Sequence, residues 1–288
     1  MASVELNGGR VEYEFLGDAG APVIVVTPGG RFSKDVPGVR RFGEALAAGG
    51  HRVLLWDRPN CGQSEVQFFG RTESHMRAET LHALLSELDV APCVIAGGSG
   101  GARDSILTTI LHPELATRLV VWAIVGGVYG TVALSHNVLP SITAVRTRGM
   151  DGVLATEPWK TLIEVNPRNR DRIVELGEDG FQRVMLRWLN AFIPKAGETV
   201  PGVADELFER ITVPTLIIRG GAKDLNHPRR ASLEVHTLIE GSTLIEPPWP
   251  EDAWEQESRL RTQGKAGIFD YWELGVPDIL EFLTDDPS

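Results

Sequence analysis

Cysteine is nearly absent from the chain: Cys61 and Cys93 are the only two in 288 residues. They belong to no C-x-x-C pair and no spaced His/Cys set, so a disulfide framework and a zinc ribbon are excluded, and neither metal nor cofactor is expected. Long apolar runs are also missing, since none approaches the roughly 18 residues that suggest a membrane span. Positive charge is the minority sign, with 28 Lys and Arg against 39 Asp and Glu for a net charge of −11. With no basic stripe, nucleic acid and anionic membranes make poor partners. The opening Met1-Ala2-Ser3-Val4-Glu5 lacks the charged start and apolar core of a signal peptide, so a reducing cytoplasm is expected. No internal repeat or low-complexity tract is present. What remains is an ordinary globular composition, 42% apolar, enough for one large domain with an insertion or for two domains.

Two short alternating segments, Val4–Leu6 and Arg10–Phe15, flank Asn7-Gly8-Gly9 and read as antiparallel edge strands around a hairpin turn. Pro22–Thr27, Arg52–Trp56, Pro92–Ala96, Leu119–Val125 and Pro214–Arg219 are nearly continuous apolar runs, the pattern of parallel strands covered on both faces. Helical periodicity separates them over Val36–Ala48, Thr72–Leu88, Ala102–His112 and Arg229–Ile239, and Thr243–Ile245 supplies a last strand before a final helix at Val276–Leu283. Strands alternating with helices predict the α/β class, with a mostly parallel central sheet and helices on both faces. From about Gly126 the rhythm becomes helical only, over Leu134–Arg146, Gly152–Glu164, Arg168–Leu176 and Phe181–Phe192. Residues 128–205 are therefore expected to form a helical cap on a core domain made of residues 1–127 and 206–288.

Within this pattern Val94–Arg103 stands out as a buried strand, a turn of glycines with Ser99 at its apex, and the start of a helix. Small neighbours permit the cramped reversal that lifts a serine hydroxyl clear of the backbone, which makes Ser99 a candidate nucleophile. Further stretches occur in a telling order: Thr27-Pro28-Gly29-Gly30, then Asp57-Arg58-Pro59-Asn60-Cys61-Gly62-Gln63-Ser64, then Gly97–Gly101, His112-Pro113-Glu114, and Val213–Ile218 followed by Gly220 and Asp224. Over nearly its whole length the chain thereby resembles the α/β-hydrolase fold superfamily, with an oxyanion loop, a D-R-x-x-x-G-x-S turn, a nucleophile elbow and an acid-bearing loop.

That resemblance implies acyl transfer at Ser99, with oxyanion donors from the backbone of Gly100 and of Gly30 or its neighbour Gly29. Asp224 is the expected acid, because it lies just past the carboxyl end of a buried strand, while Val125–Gly130 after the preceding strand contains no carboxylate. The base departs from the superfamily pattern, which puts a histidine after the last strand; here none follows His236. Of the seven histidines, His51, His82, His112 and His236 read as structural or solvated and His75 has no assignment. His136 in the cap is one candidate to hang over Ser99. His227, three residues after Asp224 on the same functional edge and at a helix start that favours the neutral imidazole, is the other.

An apolar pocket is expected around Trp249, Phe32 and cap residues such as Trp188 or Phe192. Arg31 and Arg103 flank the two oxyanion segments, where each either binds a substrate carboxylate or phenolate or makes a packing ion pair. Met185, Leu186, Leu189 and Ile193 share helical spacing and are expected to pack the cap onto the sheet domain. The leading reading is a serine hydrolase of an ester, lactone or activated carbon–carbon bond in a small organic substrate. A cofactor-free lyase or isomerase, or a silent ligand-binding relative, are the alternatives, and homodimer formation is left open.

Overall fold

The computed structural model describes residues 2–264 and 267–284. Eight strands, β1 (Ala2–Leu6), β2 (Gly9–Leu16), β3 (Val23–Thr27), β4 (Arg52–Trp56), β5 (Cys93–Gly98), β6 (Ala116–Trp122), β7 (Thr215–Ile218) and β8 (Thr243–Ile245), form one sheet ordered β1-β2-β4-β3-β5-β6-β7-β8. β2 pairs antiparallel with β1 and β4, and every later pairing is parallel. Continuous apolar runs work here because both faces are covered. Val25, Leu54 and Ile95 enter a core with α2 (Glu73–Glu87), α3 (Gly100–Leu111) and α9 (Arg229–Leu238). The alternate residues Ile24, Val26, Val53 and Leu55 enter a second core with α1 (Pro37–Ala48) and α11 (Val276–Thr284). A parallel sheet gathers the loops at its strands' carboxyl ends along one edge, where the candidate site lies.

Between β6 and β7 come α4 (Gly127–Ser135), α5 (Leu139–Leu154), α6 (Trp159–Val165), α7 (Arg168–Glu175) and α8 (Gly177–Asn190), which share a third apolar core with Val66 and Met76. Their bounds differ from the sequence expectation. α5 runs through Gly149, whose φ of 61° makes a kink that glycine tolerates and that shifts the apolar stripe. α4 was not expected, and neither was α10 (Ala253–Thr262), whose charge-rich sequence carries only a thin apolar stripe. β6 ends three residues before the expected strand does, because Ala123 turns to a φ of 46°.

The expected packing of α8 holds for part of its stripe. Met185 lies in the third core with Trp188 and Phe192, and Leu189 packs against it, whereas Leu186 and Ile193 are exposed. The stripe therefore packs the helices on one another and, through Val66, Phe68 and Met76, onto the segment that follows β4. Among the described residues, no helix is long and apolar enough to cross a membrane.

Candidate active site

Ser99 sits between β5 and α3 with φ 57° and ψ −124°, a conformation non-glycine residues adopt only when their surroundings enforce it. The enforcement is steric. A Cβ added to Gly98 would lie 2.0 Å from Trp122 Nε1, and one added to Gly101 would lie 2.1 Å from the Thr27 carbonyl oxygen. Strand and helix approach too closely for any side chain at these positions, and the serine is carried to the apex. Its backbone N–H donates to the Trp122 carbonyl at 3.1 Å, tying the elbow to the neighbouring strand.

The imidazole that meets Ser99 belongs to His227, although the two residues are 128 positions apart. One ring nitrogen, Nε2, lies 2.7 Å from Ser99 Oγ, and Nδ1 lies 2.6 Å from Asp224 Oδ2. Asp224 Oδ1 also accepts the backbone N–H groups of Asn226 and His227 at 3.0 Å each. This is an Asx-type turn: the carboxylate folds back over its own loop and so reaches a ring only three residues later. A carboxylate on Nδ1 keeps the proton there and leaves Nε2 to accept from the serine hydroxyl. Ser99, Asp224 and His227 are 6%, 7% and 2% exposed, so the chain of hydrogen bonds is screened from water. Trp254 of α10 closes its open side, with the indole edge-on to the imidazole at 4.8 Å between ring centroids. His136 is elsewhere, on the wall of a separate cleft.

Gly29 and Gly30 pass directly beside the elbow. A Cβ on Gly29 would come within 2.7 Å of Ser99 Cβ, and one on Gly100 within 3.0 Å of the Gly30 nitrogen. Among the described residues the Gly30 N–H has no acceptor, and Gly100 opens α3, where helical N–H groups lack intrahelical partners. The carbonyls of this loop are held the other way. Arg58, fully buried, donates through Nη2 to Gly29 O at 3.0 Å and Gly30 O at 2.9 Å, and through Nη1 to Asp104 Oδ2 at 3.0 Å. Asp104 lies one turn into α3, so a single guanidinium fixes the Gly29-Gly30 loop relative to the helix that follows Ser99. The D-R-x-x-x-G-x-S turn was visible in the sequence, but this bridge was not.

Around Asp104 the ion pairs continue. Arg77 bonds both Asp104, at 3.5 Å, and Glu73, at 3.2 Å, and Arg31 reaches Glu73 at 3.0 Å. Burial alone would push the Glu73 carboxyl up, but Arg31 and Arg77 outweigh it and hold the group at about 2. Arg31 is thus committed to an ion pair while also lining a cleft with Gly30 and Phe32.

Two spaces meet at Trp254. Next to Ser99 and His227 is a cavity of about 30 Å³ walled by Trp249, Trp254, Phe269 and Trp272, with room for little more than one water. On the other side of Trp254 is a cleft of about 650 Å³ lined by Gly30, Arg31, Phe32, His136 and Arg261. Of the expected pocket residues, Trp249 therefore borders the triad cavity, while Phe32 and Arg31 border the cleft. Trp188 borders neither; it is stacked on Phe68 of the segment between β4 and α2. Nothing in the sequence singled out Trp254. Among the described residues, metal-binding groups converge only far from this site: Glu79, His82 and His112 bring donor atoms within 4.8 Å of one another near the opposite end of α3. The two rings stack at 4.0 Å and 14°, so their in-plane lone pairs do not point at a common ion.

No protein-family model matches the chain. A 2-hydroxy-6-oxononadienedioate/2-hydroxy-6-oxononatrienedioate hydrolase of Escherichia coli K12 is 26% identical over 125 residues, 43% of this chain and 42% of that enzyme. The chain thus matches only about two fifths of the length of this curated relative. Among solved structures, the enol-lactonase of Burkholderia xenovorans LB400 superposes with a TM-score of 0.62 at 20% identity, covering 99% of this chain and all of that one. The meta-cleavage product hydrolase of Pseudomonas fluorescens IP01 gives 0.58 at 20% identity, covering 98% and 97%. Sheet order, elbow and these superpositions define the class: the protein has the α/β-hydrolase fold. The solved structures that share this fold include an enol-lactonase and a meta-cleavage product hydrolase.

Proposed function

We propose that the protein is a serine hydrolase of a small organic ester, lactone or activated carbon–carbon bond, with Ser99 as nucleophile, His227 as general base and Asp224 as the acid that orients it. The observation carrying this reading is the unbroken contact series from Ser99 Oγ to His227 Nε2 at 2.7 Å and from Nδ1 to Asp224 at 2.6 Å. His227 takes the hydroxyl proton as Oγ adds to the substrate carbonyl, and the N–H groups of Gly30 and Gly100 stabilise the oxyanion. The same imidazole returns the proton to the departing alkoxide or carbanion. Water then repeats the sequence on the acyl-enzyme and regenerates Ser99.

Residues 128–205 act as the cap over this edge, and the cleft beyond Trp254 is the approach for substrate. The relatives support the reaction class, since one is an enol-lactonase and others are hydrolases of meta-cleavage products.

Labelling with a fluorophosphonate tests the assignment directly. Wild-type protein is expected to label, Ser99→Ala to remain unlabelled, and His227→Ala to label on the order of 10³-fold more slowly or worse. Equal labelling of wild type and Ser99→Ala would end the nucleophile assignment. A near-normal rate in His227→Ala would end the base assignment.

A further inference from the structure

A third cleft lies away from the triad and shares no lining residue with the two spaces that meet at Trp254. It holds about 370 Å³ and opens where the start of α2, the end of α3 and the chain leaving α8 come together. Leu107, Leu111, Ala191 and Leu207 give it apolar walls, and Arg71, Arg187 and Lys195 stand around them. In a chain of net charge −11, a cleft lined by three cations and one carboxylate, Glu198, reverses the prevailing sign.

That carboxylate is already occupied. Glu198 takes Lys195 through Oε1 at 3.5 Å and the Gly202 N–H through Oε2 at 3.2 Å. Among the described residues neither guanidinium has a carboxylate: Arg187 donates to the Phe68 carbonyl at 3.2 Å, and Arg71 to His75 Nε2 at 3.0 Å. The His75 contact fixes Arg71 without neutralising it. Burial, and then the Arg71 charge, lower the pKa of this imidazole, so at neutral pH Nε2 carries a lone pair that accepts from the guanidinium. Nδ1 then holds the ring proton and faces Thr72 Oγ1 at 3.3 Å, the α2 cap that also accepts the His75 backbone N–H at 3.0 Å. Most of the five N–H groups on each guanidinium stay available.

Charge and shape together select what fits. Three cations less one carboxylate leave +2, which matches a phosphate monoester near its dianionic state at neutral pH. Its three terminal oxygens serve two planar forks and an ammonium at once, whereas a carboxylate offers one charge and two oxygens. The apolar walls suit a hydrocarbon body on the ester, and the volume falls in the range of about 300–1,000 Å³ common for small-molecule pockets.

We propose that the cleft between α2, α3 and the end of α8 binds a small phosphate monoester with an apolar body, at a site separate from Ser99. Calorimetry with phenyl phosphate, beside inorganic phosphate and neutral phenol, tests it. Phenyl phosphate is expected to fill one saturable site about 10-fold or more tightly than inorganic phosphate, through burial of its ring, and phenol not to bind there. Arg71→Gln and Arg187→Gln are each expected to weaken it by about 10- to 100-fold, the loss of charge-assisted hydrogen bonds. Both side chains are exposed, so Tm is expected to change little. Arg183→Gln removes an exposed arginine of the same helix outside the cleft and is expected to leave the affinity as it is.

Phenyl phosphate that fails to saturate, or that still binds Arg71→Gln/Arg187→Gln protein, would overturn the proposal. Equal weakening by Arg183→Gln would do the same by tracing the attraction to net charge, and equal affinity for inorganic phosphate by removing the apolar body from recognition. Binding to phosphatidate vesicles without binding to the soluble ester would also overturn it, because the partner would then be a lipid headgroup at a membrane surface.

Discussion

Replacing Arg58 with methionine tests whether the Gly29-Gly30 loop, the proposed oxyanion loop, is held by side-chain chemistry or by its own backbone preference. The substitution removes two charge-assisted hydrogen bonds to the carbonyls of Gly29 and Gly30 and one ion pair to Asp104, all at 2.9–3.0 Å and made by a fully buried guanidinium. Asp104 keeps Ser74 at 2.6 Å and Arg77 at 3.5 Å, so its charge is not abandoned. Breaking a buried pair of this kind costs about 3–5 kcal/mol, which in a domain this size lowers Tm by roughly 10 °C. Catalysis is predicted to suffer separately. Once the carbonyls are released, the peptide planes are free to turn and the Gly30 N–H leaves its aim, a loss of one oxyanion donor worth about 10²–10³ in kcat with little change in KM. Arg58→Lys is the discriminating variant, since an ammonium keeps the charge near Asp104 but has no fork to span Asp104 and two carbonyls. The assay is ester turnover and fluorophosphonate labelling rate at 25 °C, well below both unfolding transitions. A folded Arg58→Lys protein with wild-type kcat would refute the reasoning, as would losses that merely track the unfolded fraction.

Acid stability should carry the signature of Glu73. Its carboxyl is held at about 2 in the fold against an ordinary 4.5, so its contribution is fully present above pH 4.5 and disappears as the pH falls toward 2. That contribution is on the order of 3 kcal/mol. Glu73→Gln is expected to be less stable than wild type at neutral pH, with the gap closing across that window in denaturant titrations; a gap independent of pH would show that the ion pairs are not its source. Trp254→Ala should join the 30 Å³ cavity at Ser99 to the 650 Å³ cleft, since the indole borders both. Bulky esters are expected to gain in kcat/KM relative to acetate esters, and an unchanged ratio would mean that Trp254 does not gate the approach.

Much of the architecture was readable because it is written in short stretches. Val23–Thr27 and Cys93–Gly98 are apolar on both faces and can be little else but central strands. The glycines around Ser99 announce a tight reversal before any coordinates exist. The helices between β6 and β7 were read as helices but with shifted bounds, since Gly149 interrupts the stripe inside α5 and registers the remainder on a new face. α10 escaped because charge dominates Ala253–Thr262, and its burial of Glu257 depends on backbone N–H groups of Phe269 and Tyr271 beyond its own end.

By itself, the sequence determined the α/β class, the placement of Ser99 at an elbow and Asp224 beyond a buried strand, and a shortlist of two histidines. Each follows from residues within about a dozen positions of one another, through hydrophobic period, glycine geometry or turn chemistry. Only the tertiary structure brought the His227 ring, and not that of His136, beside Ser99, turned Arg58 into a clamp on Gly29 and Gly30, and left Arg103 without a carboxylate. Those outcomes depend on which loops the sheet order β4-β3-β5-β6-β7 brings to one edge and on how a limited set of buried charges pairs off there. Contacts between residues 128 positions apart are made by strand order and packing, which local pattern does not encode.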